Sequence, residues 1–163
     1  MKNSFLYLVI LSCLFTQFSF GQERQEETLG KFIITQAEVN GVDVTEELLE
    51  AGAYTAFYMY ENEDALYMAN VWPKKNSQSY GPTTSLSLEY QKDTYEEYEA
   101  DYYIFDWNYT NDYDDKSGIA KVSVIEFFKP DGIHYILRMV TDGEDTTVYK
   151  GYMEGSVNFY EYD

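Results

Sequence analysis

Cysteine, histidine and proline are nearly missing from this chain: one, one and three of them among 163 residues. A single thiol, Cys13, closes no intrachain disulfide, and beside a single imidazole, His134, it cannot supply the Cys/His sets that hold zinc. Sites that need two histidines are excluded outright. Basic residues are also scarce, 11 Lys and Arg against 29 Asp and Glu for a net charge of −18. A field of that sign repels phosphate backbones, so nucleic acid is excluded as a partner. There is no glycine-rich phosphate loop, no nucleophile-elbow motif and no internal repeat, and no cofactor is implied.

The chain has one long apolar run, at its start. Lys2 is a short positive n-region, Phe5 to Phe15 an apolar core, and Ser19-Phe20-Gly21 a small-residue cut site before Gln22. A membrane-spanning helix needs about 20 apolar residues. Ser12, Thr16, Gln17 and Ser19 interrupt this run, so residues 1–21 read as a cleaved signal peptide with no transmembrane segment left after it. The expected destination is the periplasm, the cell surface or the medium. Phe18-Ser19-Phe20-Gly21-Gln22, with the Phe-rich run before it, resembles export signals of Bacteroidota. Ile10-Leu11-Ser12-Cys13 loosely matches a lipidation site, but cutting there would start the chain on apolar Leu14-Phe15. Cleavage at Gln22 leaves no thiol and a net charge of −19, carried by 142 residues. That is one domain.

High charge without aromatics signals disorder, but this chain holds 18 Tyr, 10 Phe and 2 Trp. Residues 22–29 are polar and read as a flexible terminus. From residue 30 onward alternation dominates. Lys31 to Val39 is a strand stopped by Asn40-Gly41. A short helix follows, with Asp43 and Glu46 as a capping box, Val44, Leu48 and Leu49 on one face, and Gly52 as its end. Tyr54, Ala56, Tyr58 and Tyr60 share one side of the next strand, Thr55, Phe57 and Met59 the other. A strand from Ala65 to Trp72 precedes a loop over Pro73–Pro82. Thr84, Leu86, Leu88 and Tyr90 then alternate with polar residues. Asp93 to Asp101 is ambiguous, since Thr94 and Glu97 suit a helix cap. The stripe Tyr103/Phe105/Trp107/Tyr109 reads as buried because Asp106 and Asn108 occupy the other face. Ile119 to Lys129 and Ile133 to Thr141 flank a Pro130-Asp131-Gly132 turn, and Thr146 to Met153 and Val157 to Tyr162 complete the chain.

The expected fold is all-β: an antiparallel meander of eight or nine strands over residues 30–163, one short helix after the first strand, curled into a closed or partly closed barrel. Size, signal, meander and early helix resemble a lipocalin-like (calycin) domain. Leu29-Gly30-Lys31-Phe32 stands where lipocalins carry Gly-x-Trp, with Phe in place of Trp. The closing Arg of that family has no counterpart, Lys150 being nearest. The resemblance implies a barrel that holds a small ligand.

Chemistry-bearing groups are sparse. Asp112, Asp114 and Asp115 form an acidic loop, but Lys116, Ser117 and Ser123 break an EF-hand pattern; a solvated turn is the reading taken, with a looser calcium site left open. Glu126 continues the register of Ala120, Val122 and Val124. It is read as turned outward by a bulge or strand end, the alternative being a buried acid. His134 is read as a surface residue. A secreted hydrolase would need two carboxylates facing across a cleft, one with a raised pKa. The expected function is non-catalytic: an exported protein binding a small apolar or aromatic ligand through Leu86, Leu88, Phe105, Trp107, Tyr135, Leu137 and Met139. The alternative is an accessory subunit that binds a cell-envelope protein.

Overall fold

The computed structural model describes residues 25–93 and 98–162. The expected signal peptide, Cys13, the expected cut before Gln22 and the Thr94/Glu97 motif lie outside the described residues. The strands are β1 (Glu26–Val39), β2 (Val42–Asp43), β3 (Tyr54–Tyr60), β4 (Tyr67–Trp72), β5 (Ser77–Asp93), β6 (Tyr98–Asn111), β7 (Ser117–Lys129), β8 (Gly132–Thr141) and β9 (Thr146–Gly155). One helix, α1 (Thr45–Ala51), follows β2, and 3-10 turns cover Pro73–Lys75 and Phe159–Tyr162. Successive strands pair antiparallel, and β9 returns to pair with β1. Eight strands therefore close a barrel, while β2 only extends the end of β1 as a hairpin. Asn40 and Gly41 make that hairpin turn with φ of 52° and 76°, the positive pair a tight two-residue turn demands. Among the described residues no helix is long and apolar enough to cross a membrane.

Alternation sorts the side chains. Phe32, Phe57, Met68, Phe105, Trp107, Val122, Val124 and Leu137 point inward and none is more than 3 % exposed. The β6 stripe faces the interior, as expected. Polar atoms inside are paired: Trp107 Nε1 donates to the Met68 carbonyl at 3.1 Å and Thr55 Oγ1 to Asn70 Oδ1 at 2.6 Å. On β3 the interior takes Thr55 and Phe57, and the more aromatic side of that strand forms the outer surface.

Several local expectations are corrected. Glu26 to Leu29 are strand, not a frayed end, because backbone pairing with β3 (Glu26↔Tyr60) needs no apolar side chain. Asp43 and Glu46 form no capping box; the helix starts at Thr45, and Asp43 Oδ1 instead accepts the Thr45 N–H at 2.8 Å. Leu48 is buried, Leu49 half exposed, and Gly52 caps the helix in the left-handed region. The loop after Trp72 ends early: Ser77 to Pro82 pair with β4, and Gly81 allows this since a Cβ there would lie 1.9 Å from the Asn108 carbonyl oxygen. A bulge between Thr84 and Ser87, with Ser85 at φ 55°, puts Thr84 outside and Leu86 and Leu88 on the inner side. Tyr98 to Asp101 belong to β6.

The end of the barrel near Tyr60, Lys129 and Gly155 is built differently from a simple ladder. The β8–β9 pairing stops at Tyr135↔Gly151, while β7–β8 runs on to Lys129↔Gly132 and β1–β9 to Gly30↔Gly155. The two strands splay apart there. Val157 to Tyr162, expected as a last strand, instead fold back into the opening. Gly155 makes the turn at φ 86°, and Ser156 N–H donates to the Leu29 carbonyl at 3.1 Å. Phe159 enters the barrel end, 1 % exposed, edge-on to Phe57 and stacked on Tyr103 at 4.6 Å.

Candidate functional site

The splayed end is a barrel mouth with chemistry on its rim. Counting back from the two-residue Pro130-Asp131 turn places Glu126 opposite Tyr135, and the ladder runs through both without a bulge. Glu126 therefore keeps the inward register of Val122 and Val124, which corrects the outward reading. It is only half buried because the barrel ends there. On its other side Asp101 of β6 is its direct partner.

A cavity of about 360 Å³ opens over these residues, bounded by Glu126, Tyr103, Tyr135, Met153 and the returning segment from Gly155 to Tyr160. Tyr103 Oη lies 3.5 Å from Glu126 Oε2, and Tyr160 Oη donates to Asp101 Oδ2 at 2.9 Å. Tyr103 and Tyr160 also meet edge to face, with ring centroids 5.7 Å apart. Burial lifts the Glu126 carboxyl above its ordinary pKa. The Asp101 charge adds to that, and hydrogen bonds from Tyr135 and Tyr103 oppose it. Burial, helped by Glu126, pushes the Tyr135 hydroxyl up to about 12; burial raises Tyr103 further still. All three hydroxyls keep their protons near neutral pH.

The seven residues expected to line a ligand site come together on the barrel's inner side. Phe105, Trp107, Leu137 and Met139 are buried in one cluster with Phe32, Phe57 and Phe159, while Leu86, Leu88 and Tyr135 pack against it. Only Tyr135 also lines the mouth cavity. Phe105 lies directly beneath, stacked on Phe159 at 6.5 Å. Sequence reasoning weighed Glu126 as a buried acid but preferred the outward reading, although the turn count would have paired it with Tyr135. It missed Asp101, Phe159 and Tyr160, since no short turn fixes their register.

Other candidates resolve into ordinary roles. His134 is exposed, with Nε2 3.0 Å from Asp131 Oδ1. Asp112 Oδ1 accepts the Gln78 N–H at 2.7 Å and Asp114 pairs with Lys116 at 2.7 Å, so both serve the β6–β7 turn. Among the described residues no group of three or more acidic, His or Cys side chains is placed to hold a metal. Asp101 and Glu126 are neighbours on one sheet surface.

A second concavity lies on the outside of β3 and β4. Ala56 and Ala69 are cross-strand partners that floor a trough of about 350 Å³, walled by Tyr54, Tyr58 and Tyr80 with Lys31 Nζ 3.9 Å from the Tyr54 ring centre. Tyr58 faces outward yet is 4 % exposed, covered by Tyr60 and Tyr67.

Compared with protein-family models, curated proteins and solved structures, the chain matches none.

Proposed function

We propose that this chain is an exported, non-catalytic binding domain of the lipocalin-like kind that takes a small aromatic or apolar ligand at the splayed mouth of its barrel. The observation that carries this reading is the cavity over Glu126. Its volume falls at the lower end of the roughly 300–1,000 Å³ usual for ligand pockets, and it joins aromatic walls to a few convergent polar groups. Phe159, Met153 and Val157 give it an apolar floor, with Phe105 stacked beneath Phe159; Tyr103, Tyr135 and Tyr160 offer hydroxyls that orient a ligand. The test is native mass spectrometry of the protein purified from its host envelope. A chain beginning at Gln22 with an added mass of a few hundred daltons supports the proposal. A bare chain, or one held by another protein, overturns it.

The outer tyrosine trough favours a second reading, an accessory subunit whose partner is a cell-envelope protein. Tyrosine is enriched at interfaces, where a ring supplies area and a hydroxyl supplies a bond. Tyr80, 40 % exposed, is the residue to change: Tyr80→Ser would release a co-purifying partner and leave a mouth-bound ligand in place.

A further inference from the structure

We infer that the ligand of the mouth is a cation, a small amine bearing an aromatic or apolar group, seated with its ammonium against Glu126 and framed by the rings of Tyr103, Tyr135 and Tyr160. This rests on the reading of the mouth as the ligand site.

The hydrogen-bond inventory of the cavity is one-sided. Tyr160 has already given its proton to Asp101, Tyr103 directs its own at Glu126, and Asn158 Nδ2 donates to Glu161 Oε1 at 2.8 Å. Tyr135 also bonds to the Glu126 carboxylate, so the phenol protons are committed and what remains is acceptor capacity: the further lone pairs of Glu126, which has about four acceptor sites, and those of the phenol oxygens. No Lys, Arg or His lines the cavity. Among the described residues neither Glu126 nor Asp101 is in an ion pair. A ligand that completes this site must therefore bring N–H donors and positive charge.

The alternatives fare worse. An anion would sit against a carboxylate with no counter-charge in reach. A wholly apolar ligand would bury Glu126 further with hydrogen bonds but no counter-charge, at the desolvation cost of an ionised group. A hard metal ion prefers six to eight oxygen ligands; here a single carboxylate lines the cavity, and Asp101 is already bound to Tyr160. An ammonium fits, since Glu126 neutralises it and aromatic faces attract it through their quadrupoles. The net charge of −18 concentrates cations around the whole molecule and favours their capture.

Three probes of one shape decide the matter: 2-phenylethylamine, neutral 2-phenylethanol and anionic 3-phenylpropionate. Each is titrated calorimetrically into the purified protein near neutral pH, with the tyrosine ring signals followed by NMR. The amine should bind about tenfold tighter than the alcohol, the margin of a charge-assisted over a neutral hydrogen bond, and the carboxylate not at all. Glu126→Gln should bring the amine down to the alcohol's affinity and leave the alcohol unchanged. Glu89→Gln removes the same charge from an exposed site on β5 and should leave all affinities within about twofold, which separates local pairing from the general field. If the alcohol or the carboxylate binds as well as the amine, the cation assignment falls while the mouth stands. If no probe moves the signals of Tyr103, Tyr135 or Tyr160, the mouth itself is not the site and both readings fall.

Discussion

Asp101 and Glu126 stand directly opposite each other on the inward side of the β6–β7 ladder, two carboxylates where a sheet ordinarily sets apolar or complementary partners. Like charges in that position destabilise a pair by about 0.2–1 kcal/mol. The mouth is thus built at some cost to the fold.

The cost has a pH signature. Asp101, Tyr103, Tyr135 and Tyr160 face Glu126; burial lifts its pKa, the Asp101 charge adds to the rise and hydrogen bonds from Tyr135 and Tyr103 oppose it. Because folding raises the Glu126 pKa, the native state binds its proton more tightly than the unfolded chain. Stability from this group is therefore greatest below the ordinary value of 4.5 and declines as pH rises through the lifted pKa. Glu126→Gln should raise Tm near neutral pH by about 2 °C, corresponding to roughly 0.5 kcal/mol, and have no effect near pH 4. Calorimetric melts of both proteins across that range check the sign; a Gln variant that melts lower at neutral pH would contradict it.

Phe159 closes the barrel end from a segment of only four helical residues. Truncating a fully buried Phe costs about 3–5 kcal/mol, so Phe159→Ala should lose that much in urea unfolding. Tyr160→Phe removes only the hydroxyl bonded to Asp101 and should lose about 1 kcal/mol. Equal losses would mean that the segment is held by its hydrogen bonds rather than by the ring.

Gly151 lies where β9 crosses the bulge of β1, and a Cβ there would sit 1.9 Å from the Ile33 carbonyl oxygen. Backbone cannot yield as a side chain can. Gly151→Ala should cost about 2 kcal/mol or more by overpacking, whereas Gly143→Ala, with its closest neighbour at 3.9 Å, should be within about 0.5 kcal/mol of neutral. Thermal melts of the two variants side by side test this.

Tyrosine ionisation gives an independent view of the interior. Burial lifts Tyr149 to about 12, as it does Tyr135, and lifts Tyr58 and Tyr103 beyond that. In a spectrophotometric titration at about pH 11, above the ordinary Tyr pKa near 10, these four should remain silent. Adding denaturant at the same pH should release the missing absorbance.

Much of this fold was legible in the alternation, and its failures have physical causes. On β6 and β7 the buried residues Phe105, Trp107, Ala120 and Val122 are apolar and Asp106, Asn108 and Lys121 mark the other face, so direction there could be read from chemistry. On β3 it could not: Tyr54, Tyr58 and Tyr60 look like a core face, but a phenol is amphipathic and these three lie outside, while buried Thr55 is made acceptable by its bond to Asn70. The Thr84 misplacement came from one residue, Ser85, whose left-handed backbone shifts the period without a glycine to announce it. Glu126 was misread because an acid in an apolar register suggests a defect. It is accommodated by ending the barrel at that level and surrounding the carboxylate with phenols. The mouth combines residues from β6, β7, β8 and the C-terminal turn, a juxtaposition that no local spacing encodes.

The β1–β9 seam also sets an order of assembly. Thr35 and Lys150, joined across it by a hydrogen bond, are 115 residues apart in the chain. Every other strand can zip onto its predecessor as it emerges, but the first must wait for the last, and until then two open edges are exposed. Such a high contact order slows the final step. A chain that commits to its closed form only after β9 and Phe159 have arrived keeps an open, unclosed sheet through most of its folding.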